Sequence, residues 1–301
     1  MGISMARRDE NQQLMFGGDW TVEKLERVRK YLRAYTTALK KQPFALWYID
    51  AFAGTGHLTH KKRDTAQISL FDEAETRDAP KYIEGSTRVA LKVEPRFDKY
   101  IFVEKESGQI PMLEDLRNEF PDVQNKIEVV NEDCNSYIPQ LCALTNWRNT
   151  RAVLFLDPYG MEVKWSTLEA IARTQAIDLW LLFPLGVGVM RMLNNNAKIT
   201  DSWANVLTEM FGTDKWFDDF YETAREAGLF EENIQQIKNC NYNKIGQYFV
   251  SRLKTIFTAV ADNPLPLCNS KNVPLYLLCF AAGNPKGAPI ALRIAQDILG
   301  K

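Results

Sequence analysis

The sequence predicts an α/β protein built on a mostly parallel, doubly wound sheet. Short apolar runs alternate with segments of helical periodicity, which is typical of strands joined by crossover helices. The run at 152–156 is apolar at every position, as expected for a strand buried on both faces. Acids end or closely follow four of the runs, at Asp50, Glu104, Asp133 and Asp157. Because ligands of such sheets bind beyond the carboxyl ends of the strands, these acids predict a binding site.

The stretch at 45–56 organises this prediction. Residues 45–50 are rich in aromatic and apolar side chains and predict a buried strand that ends at Asp50. A turn of small residues follows, in which Gly54 and Gly56 would let a ligand approach the main chain closely. An acid beside a glycine turn suits a ligand that carries a cation and hydroxyls, such as S-adenosylmethionine (SAM). We include Phe52, inside the turn, among the cofactor-binding candidates. An ordinary strand-to-helix turn is the alternative.

A helix is predicted at 20–41, ahead of the first strand. Apolar residues recur at three- and four-residue spacing and give it one apolar face. The opposite face is basic, with Lys24, Arg27, Lys30 and Arg33. That face is either a solvated surface, or it packs beside the cofactor strand with Lys24 turned toward a substrate phosphate or a cofactor carboxylate.

The next two strands supply further cofactor candidates. The second strand, 100–104, ends in Glu104, and an acid at this place in nucleotide-binding α/β folds receives the ribose hydroxyls. The third strand, 127–131, is followed by Asp133, which can accept a hydrogen bond from an adenine amino group. Cys134 comes next and is expected to pack against the adenine ring.

A charged segment without clear periodicity, 57–79, separates the glycine turn from the second strand. It contains a short basic cluster, Lys61, Lys62 and Arg63. Long loops in such positions often cover a site or bind substrate. We therefore predict that this insertion lies at the mouth of the site and that its basic cluster contacts substrate phosphates.

The remaining chain completes the α/β pattern. We predict a fifth strand at 178–184, a mainly helical insertion at 187–240, a helix at 245–260, paired strands at 265–268 and 274–280, and a closing helix at 288–299. The predicted domains are an N-terminal helical extension at 1–43, a core formed by 44–186 and 241–301, and the helical insertion at 187–240. The insertion either supports packing or recognises substrate.

Composition excludes several classes of site. The chain has 37 basic and 38 acidic residues, so its net charge gives no support for nucleic-acid binding, although a local basic patch remains compatible. It has two histidines and five scattered cysteines, and no Cys-x-x-Cys pair, so no metal site is expected. The cysteines favour a reducing compartment. We see neither a signal peptide nor a membrane span and expect a cytoplasmic protein.

Three segments carry a resemblance to a known family. Tyr48-Ile-Asp-Ala-Phe-Ala-Gly-Thr-Gly56, Leu156-Asp-Pro-Tyr-Gly160 and Tyr276-Leu-Leu-Cys-Phe-Ala-Ala282 resemble the three-Cys-motif partner proteins (TcmP). The resemblance covers nearly the whole chain. It implies a Rossmann-like (class I) SAM-dependent methyltransferase fold and a partner with a three-cysteine motif.

A second, weaker resemblance concerns the chemistry. The layout Gly17-Gly-Asp-Trp-Thr-Val-Glu-Lys-Leu25, then Tyr-Ile-Asp, then an insertion, then Tyr82-Ile-Glu-Gly85, is similar to the RlmJ-type rRNA adenine-N6 methyltransferases. It implies that Lys24 lies near the active site. The motif of that family after the fourth strand is Asp-Pro-Pro-Tyr. The present chain lacks one proline, and its Tyr159 stands one place earlier.

Such a motif suits methyl transfer to an exocyclic amine, whose lone pair is delocalised into the base. A carboxylate and a carbonyl that accept the amine hydrogens make the nitrogen more nucleophilic. Asp157 and the Pro158 carbonyl fit these roles, and Tyr159 can stack on a single-stranded or flipped base. The alternative is that Asp157 and Pro158 only form a turn that ends the strand.

The sequence therefore favours a SAM-dependent methyltransferase that acts on RNA or DNA, with adenine N6 as the first candidate target. A SAM-fold protein without turnover, working with a three-Cys-motif protein, is the alternative from another class. A nicotinamide dehydrogenase is disfavoured, because Asp50 precedes the glycine turn and Glu104 follows it at long range.

Overall fold

The computed structural model describes residues 19–54, 85–227 and 232–300. Within these ranges the chain forms a mixed α/β fold. The strands are β1 (Ala45–Asp50), β2 (Lys99–Val103), β3 (Ile127–Val130), β4 (Thr150–Leu156), β5 (Ile177–Phe183), β6 (Tyr221–Ala227), β7 (Glu232–Lys238), β8 (Ala259–Val260), β9 (Leu265–Cys268) and β10 (Pro274–Ala282). The helices are α1 (Asp19–Leu39), α2 (Ser86–Leu91), α3 (Ile110–Glu114), α4 (Leu116–Glu119), α5 (Cys134–Leu144), α6 (Trp165–Arg173), α7 (Asp201–Phe211), α8 (Trp216–Phe220), α9 (Tyr242–Lys254) and α10 (Ala288–Leu299).

The central sheet confirms the predicted fold class. Its strand order is β3-β2-β1-β4-β5-β10-β8, and β9 also pairs with β10. Strands β1 to β5 run parallel to one another. β10 is antiparallel to β5 and carries β8 and β9 on its other side. The predicted pairing of 265–268 with 274–280 is therefore confirmed.

Helices cover both faces of the sheet, and each face has its own core. On one face, apolar residues of α1, α2 and α10 pack on alternate sheet residues such as Tyr48 and Phe155. On the other face, α5, α6, α7 and α9 pack on the intervening residues, among them Ile49 and Leu154. Residues 152–156 of β4 are all fully buried, as the uniform apolar run predicts.

The insertion before the C-terminal strands is only partly helical. α7 and α8 agree with the prediction, but 221–227 and 232–238 form the antiparallel pair β6 and β7. Strand pairing is a long-range interaction that local periodicity does not report, which explains the error. The division into domains remains a prediction.

One other predicted helix ends earlier than expected. The predicted helix at 245–260 ends at Lys254, because Ala259 and Val260 pair with β10 as an edge strand. The segment at 110–120 consists of two short helices that meet at Asp115. A turn of π-helix, Leu185–Met190, follows β5. None of the helices that the structure describes is long and apolar enough to cross a membrane.

Candidate active site

The strand order reverses direction on either side of β1, which lies between β2 and β4. In open parallel sheets, ligands bind at such a switch point, beyond the carboxyl ends of the strands. The four acids singled out in the sequence lie at this edge, at or just beyond the ends of four neighbouring strands: Asp50, Glu104, Asp133 and Asp157. The topology thus places one candidate residue after each of β1, β2, β3 and β4.

Asp50 lies beneath the glycine turn and is fully buried. Its carboxylate accepts hydrogen bonds from the Tyr48 hydroxyl and the Phe52 backbone N–H, each at 3.3 Å. Burial raises the pKa of Asp50 to about 7, the Ser86 hydrogen bond opposes that rise, and the nearby charge of Asp157 adds to it. These contacts indicate that Asp50 acts by holding the turn in shape.

Glu104 joins the turn to the tip of β2. One carboxylate oxygen accepts the Gly54 N–H at 2.8 Å, and the other accepts the Glu106 N–H at 2.7 Å. Gly54 has a φ of +58°, a conformation that favours glycine. Among the described residues, a Cβ added there would meet only the Gln109 side chain, at 3.7 Å, so this part of the structure leaves the main chain open to close approach.

Asp133 and Cys134 begin α5. Asp133 caps the helix by accepting the Asn135 N–H at 2.8 Å, and its other oxygen lies 3.5 Å from the Lys105 amine. Cys134 is 4% exposed and belongs to one hydrophobic core, against which the half-buried Phe52 also packs. Burial raises the pKa of the Cys134 thiol well above its usual range. Cys134 is therefore an apolar packing residue and not a nucleophile.

Asn131 is a site residue that the sequence reasoning missed. Its side-chain amide donates to the carbonyl oxygens of Glu104 and Lys105, at 2.8 and 3.0 Å. Its carbonyl oxygen accepts from the Ser107 hydroxyl at 2.8 Å. Asn131 thereby ties the segment after β2 to the end of β3. An asparagine directly after a strand is the signal that would have singled it out.

Lys24 and Asp157 form an ion pair at the end of β4. The Lys24 amine lies 2.5 Å from Asp157 Oδ2, and the two side chains are 3% and 20% exposed. The same amine lies 5.3 Å from the centroid of the Trp20 ring and 5.9 Å from that of Phe155. A long-range pair with one member buried fixes the distance between α1 and the end of β4.

The expectation of a solvated basic face on α1 is wrong for its first half. Lys24 and Arg27 are both buried. Arg27 donates to the carbonyl oxygen of Ile298 at 2.5 Å, because α10 covers this part of α1. Lys30 and Arg33 are exposed, as expected. Lys24 faces Asp157, and its predicted contact with a substrate phosphate or a cofactor carboxylate stays a prediction.

The turn after β4 presents its residues in different directions. Pro158 is buried, whereas Tyr159 is 79% exposed. The Tyr159 N–H donates to Glu162 at 3.0 Å, and its carbonyl oxygen lies 3.4 Å from the Tyr276 hydroxyl. Glu162 was not among the sequence candidates, and Tyr276 appeared only within a family motif. Most of the Tyr159 side chain thus lies at the protein surface.

Four of the predicted site residues lie outside the described residues: Gly56, Lys61, Lys62 and Arg63. Their roles in cofactor and phosphate binding stay predictions. The part of the chain that the structure describes contains no group of three His, Cys, Asp or Glu side chains arranged to hold a metal ion.

No protein-family model matches the chain, and no curated protein matches it. Several solved structures do. A Legionella pneumophila protein described by the family model DUF519 is 15% identical, with 94% of this chain and 92% of that chain covered and a TM-score of 0.48. A putative SAM-dependent methyltransferase from Listeria monocytogenes is 9% identical over 86% of this chain and 99% of that one, with a TM-score of 0.37. A SAM-dependent methyltransferase from Clostridium acetobutylicum is 11% identical over 86% and 92%, with a TM-score of 0.37. At such identities the likeness concerns the fold and not the substrate.

Proposed function

We propose that the protein is a SAM-dependent methyltransferase that modifies an exocyclic amine of a nucleic-acid base, with adenine N6 of RNA or DNA as the first target to test. The observation that carries this proposal is the Lys24–Asp157 pair. It holds a carboxylate just beyond β4, next to the switch point where the glycine turn after β1 and Glu104 after β2 lie. Cofactor-side and substrate-side groups thus occupy adjacent strand ends.

The residues present fit SAM. The turn at 51–54 offers main chain at which a ligand can approach closely, and Glu104 and Asp133 offer carboxylate oxygens for hydroxyl and amino groups. When bound, SAM supplies an electrophilic methyl group. Phe52, half-buried after β1, would border the adenosine. Gly56 lies outside the described residues, and its cofactor-binding role rests on the sequence.

Asp157 and Pro158 would activate the amine. The Lys24 amine donates to Asp157 Oδ2. Asp157 Oδ1 has no hydrogen-bond partner among the described residues. Oδ1 is therefore the oxygen that would accept a hydrogen of the target amine. The Pro158 carbonyl would accept the second hydrogen, and proline has no competing N–H. With both hydrogens held, the nitrogen lone pair would be less delocalised into the base and more nucleophilic. Its attack on the methyl group would break the sulfur–methyl bond, release S-adenosylhomocysteine and leave one amine proton to be lost to solvent. Lys24 keeps the carboxylate in place and balances its charge.

Tyr159 and the basic residues would bind the substrate. The exposed Tyr159 ring would stack on the target base, which must be single-stranded or flipped from a duplex. Lys61, Lys62 and Arg63, with the exposed Lys30 on α1, would contact backbone phosphates. The balanced net charge of the chain means that such binding would rest on local patches.

The second candidate is a SAM-fold protein that has no turnover by itself and acts with a three-Cys-motif protein. One observation favours it. Lys24 is 3% exposed and bound to Asp157 Oδ2, which leaves Oδ1 alone for a target amine. The shortened Asp-Pro-Tyr motif points the same way. In this case the chain would require the partner to complete or open the site.

Two measurements separate these candidates. Titration calorimetry with S-adenosylhomocysteine tests the cofactor, and transfer of labelled methyl groups from SAM onto total RNA and DNA, followed by nucleoside analysis, tests the reaction. Asp157→Asn is the matched control, since it keeps the shape of the side chain. Absence of S-adenosylhomocysteine binding by folded, monodisperse protein would overturn both candidates. Binding without methyl transfer would favour the partner-dependent one.

A further inference from the structure

Trp20, in the first turn of α1, contacts two residues of the candidate site. Its ring stacks on the ring of Tyr276, with centroids 5.1 Å apart and planes at 28°. The Lys24 amine lies 5.3 Å from the Trp20 ring centroid. Offset stacking and cation–π attraction are both favourable at these distances. The indole thus lies against one residue of β10 and one of α1.

Each of these two neighbours binds the turn that follows β4. Lys24 pairs with Asp157 Oδ2 at 2.5 Å, and the Tyr276 hydroxyl lies 3.4 Å from the carbonyl oxygen of Tyr159. The first and third residues of Asp-Pro-Tyr are therefore held by two side chains that share one aromatic neighbour.

We infer that Trp20 and Tyr276 are positioning residues for the methyl transfer, through which α1 and β10 hold the Asp157–Tyr159 turn in its reactive geometry. The inference rests on the proposed function. Trp20 acts through Lys24 and Tyr276, and Tyr276 acts through the Tyr159 carbonyl. Fixing a reacting group in place contributes to rate, because a displacement of about 1 Å costs up to about 100-fold.

The chemistry of the indole predicts which substitution is tolerated. Nε1 of Trp20 is buried and has no hydrogen-bond partner among the described residues. The contribution of Trp20 is therefore its ring face and not its N–H group. Phenylalanine keeps a ring face and leucine does not, so Trp20→Phe should preserve positioning that Trp20→Leu removes.

The kinetic test compares Trp20→Leu, Trp20→Phe and Tyr276→Phe. We expect kcat to fall about 10- to 100-fold in Trp20→Leu, with KM for SAM unchanged, since the residue lies on the substrate side. Trp20→Phe should stay within a few-fold of wild type. Tyr276→Phe keeps the stacked ring and loses only the hydroxyl, so its kcat should lie between those of Trp20→Leu and Trp20→Phe. Tyr137→Phe, which removes a hydroxyl 3.1 Å from Glu128 on the far edge of the sheet, is the matched control and should not change kcat.

A second readout does not depend on turnover. In hydrogen exchange, the backbone amides at 159–162 should exchange faster in Trp20→Leu and Tyr276→Phe than in wild type, while exchange in β4 stays unchanged. If the wild type transfers no methyl group, the proposed function fails, and the exchange experiment still tests the positioning. Unchanged exchange at 159–162 in Trp20→Leu would overturn the inference. So would an equal change in Tyr137→Phe, or a kcat for Trp20→Leu equal to that of wild type.

Discussion

The amine of Lys24 and the Oδ2 atom of Asp157 lie 2.5 Å apart across 133 residues of sequence. The lysine is the more buried partner, at 3% exposure against 20% for the aspartate. A buried lysine needs a counter-charge, and here the only side chain bonded to it within the described residues is the carboxylate placed at the carboxyl end of β4. The pair therefore links the stability of α1 to the geometry of the candidate site.

Breaking this pair should destabilise the protein. Lys24→Met keeps the bulk of the side chain and leaves Asp157 without its partner, and because Asp157 is partly hydrated we expect a loss of about 1–3 kcal/mol. Urea unfolding measures it. Arg29→Met removes the exposed pair with Glu26 and should cost no more than about 0.5 kcal/mol. If both substitutions cost the same, the buried pair is not a stabilising contact.

Asp50 should make stability depend on pH. The pKa of Asp50 rises from 3.8 in the unfolded chain to about 7 in the folded protein. The stability that Asp50 contributes is therefore fully present below pH 4, where the carboxyl is protonated in both states. It is lost as pH rises toward 7, because the unfolded chain releases the proton more readily than the folded protein. The total is on the order of a few kcal/mol. Asp50→Asn removes this titration, and the difference in unfolding free energy between wild type and variant should change between pH 4 and 7. Burial also raises the pKa of Asp178, to about 6, so Asp178 likewise lowers the free energy of unfolding as pH rises. It does so equally in wild type and in Asp50→Asn and therefore cancels in the difference. A pH-independent difference would contradict the assignment.

Glu104 should control cofactor affinity. Glu104→Ala removes the carboxylate expected to bind the ribose and also frees the N–H groups of Gly54 and Glu106. We expect affinity for S-adenosylhomocysteine to fall by about 1–3 kcal/mol in titration calorimetry. Glu106→Ala is the neighbouring control, because the Glu106 side chain is exposed. Wild-type affinity in Glu104→Ala would place the ribose elsewhere.

Asp157 and Tyr159 should separate chemistry from cofactor binding. Asp157→Ala should abolish methyl transfer while leaving S-adenosylhomocysteine affinity nearly unchanged, because the lost contact is made mainly in the transition state. Tyr159→Ala should weaken substrate binding by about 1–3 kcal/mol, whereas Tyr159→Phe keeps the ring and should be mild. Single-turnover kinetics and filter binding measure these effects. Full turnover in Asp157→Ala would show that the amine is activated elsewhere.

The strands of the central sheet could be predicted from the sequence because the pattern that marks each strand lies within a few neighbouring residues. An uninterrupted apolar run marks β4 by itself, and Asp50 and Glu104 follow their strands directly. The pair of β6 and β7 was missed because residues such as Thr223 and Gln236, partners in register, do not form a buried face. Their pairing depends on the opposite strand and not on local pattern.

The candidate site was predictable at the strand ends and not in its supporting contacts. The periodicity of α1 separates an apolar face from a basic one, but tertiary contacts decide which basic residues are buried. Arg27 lies against α10, and Lys24 lies against the end of β4. The contact of Tyr276 with the Tyr159 carbonyl spans 117 residues. No local rule brings such residues together, since only the order of strands in the sheet does.

Gly186, at the start of the π-helical turn after β5, should tolerate no side chain. A Cβ there would lie 2.1 Å from the carbonyl oxygen of Pro274 and 3.2 Å from the Cα of Leu275. Both atoms belong to the main chain of β10, which must move to make room, so Gly186→Ala should cost about 1–3 kcal/mol or more.

Because Tyr276 follows on the same strand, the protection of the 159–162 amides should fall as well in Gly186→Ala. Gly160→Ala is the matched control. A Cβ there meets no atom of the described residues within 4 Å, and the change in unfolding free energy should stay within about 0.5 kcal/mol. Equal stability of the two variants in urea would show that β10 yields to the added methyl group, and the close approach of the π-helical turn would then not fix the position of Tyr276.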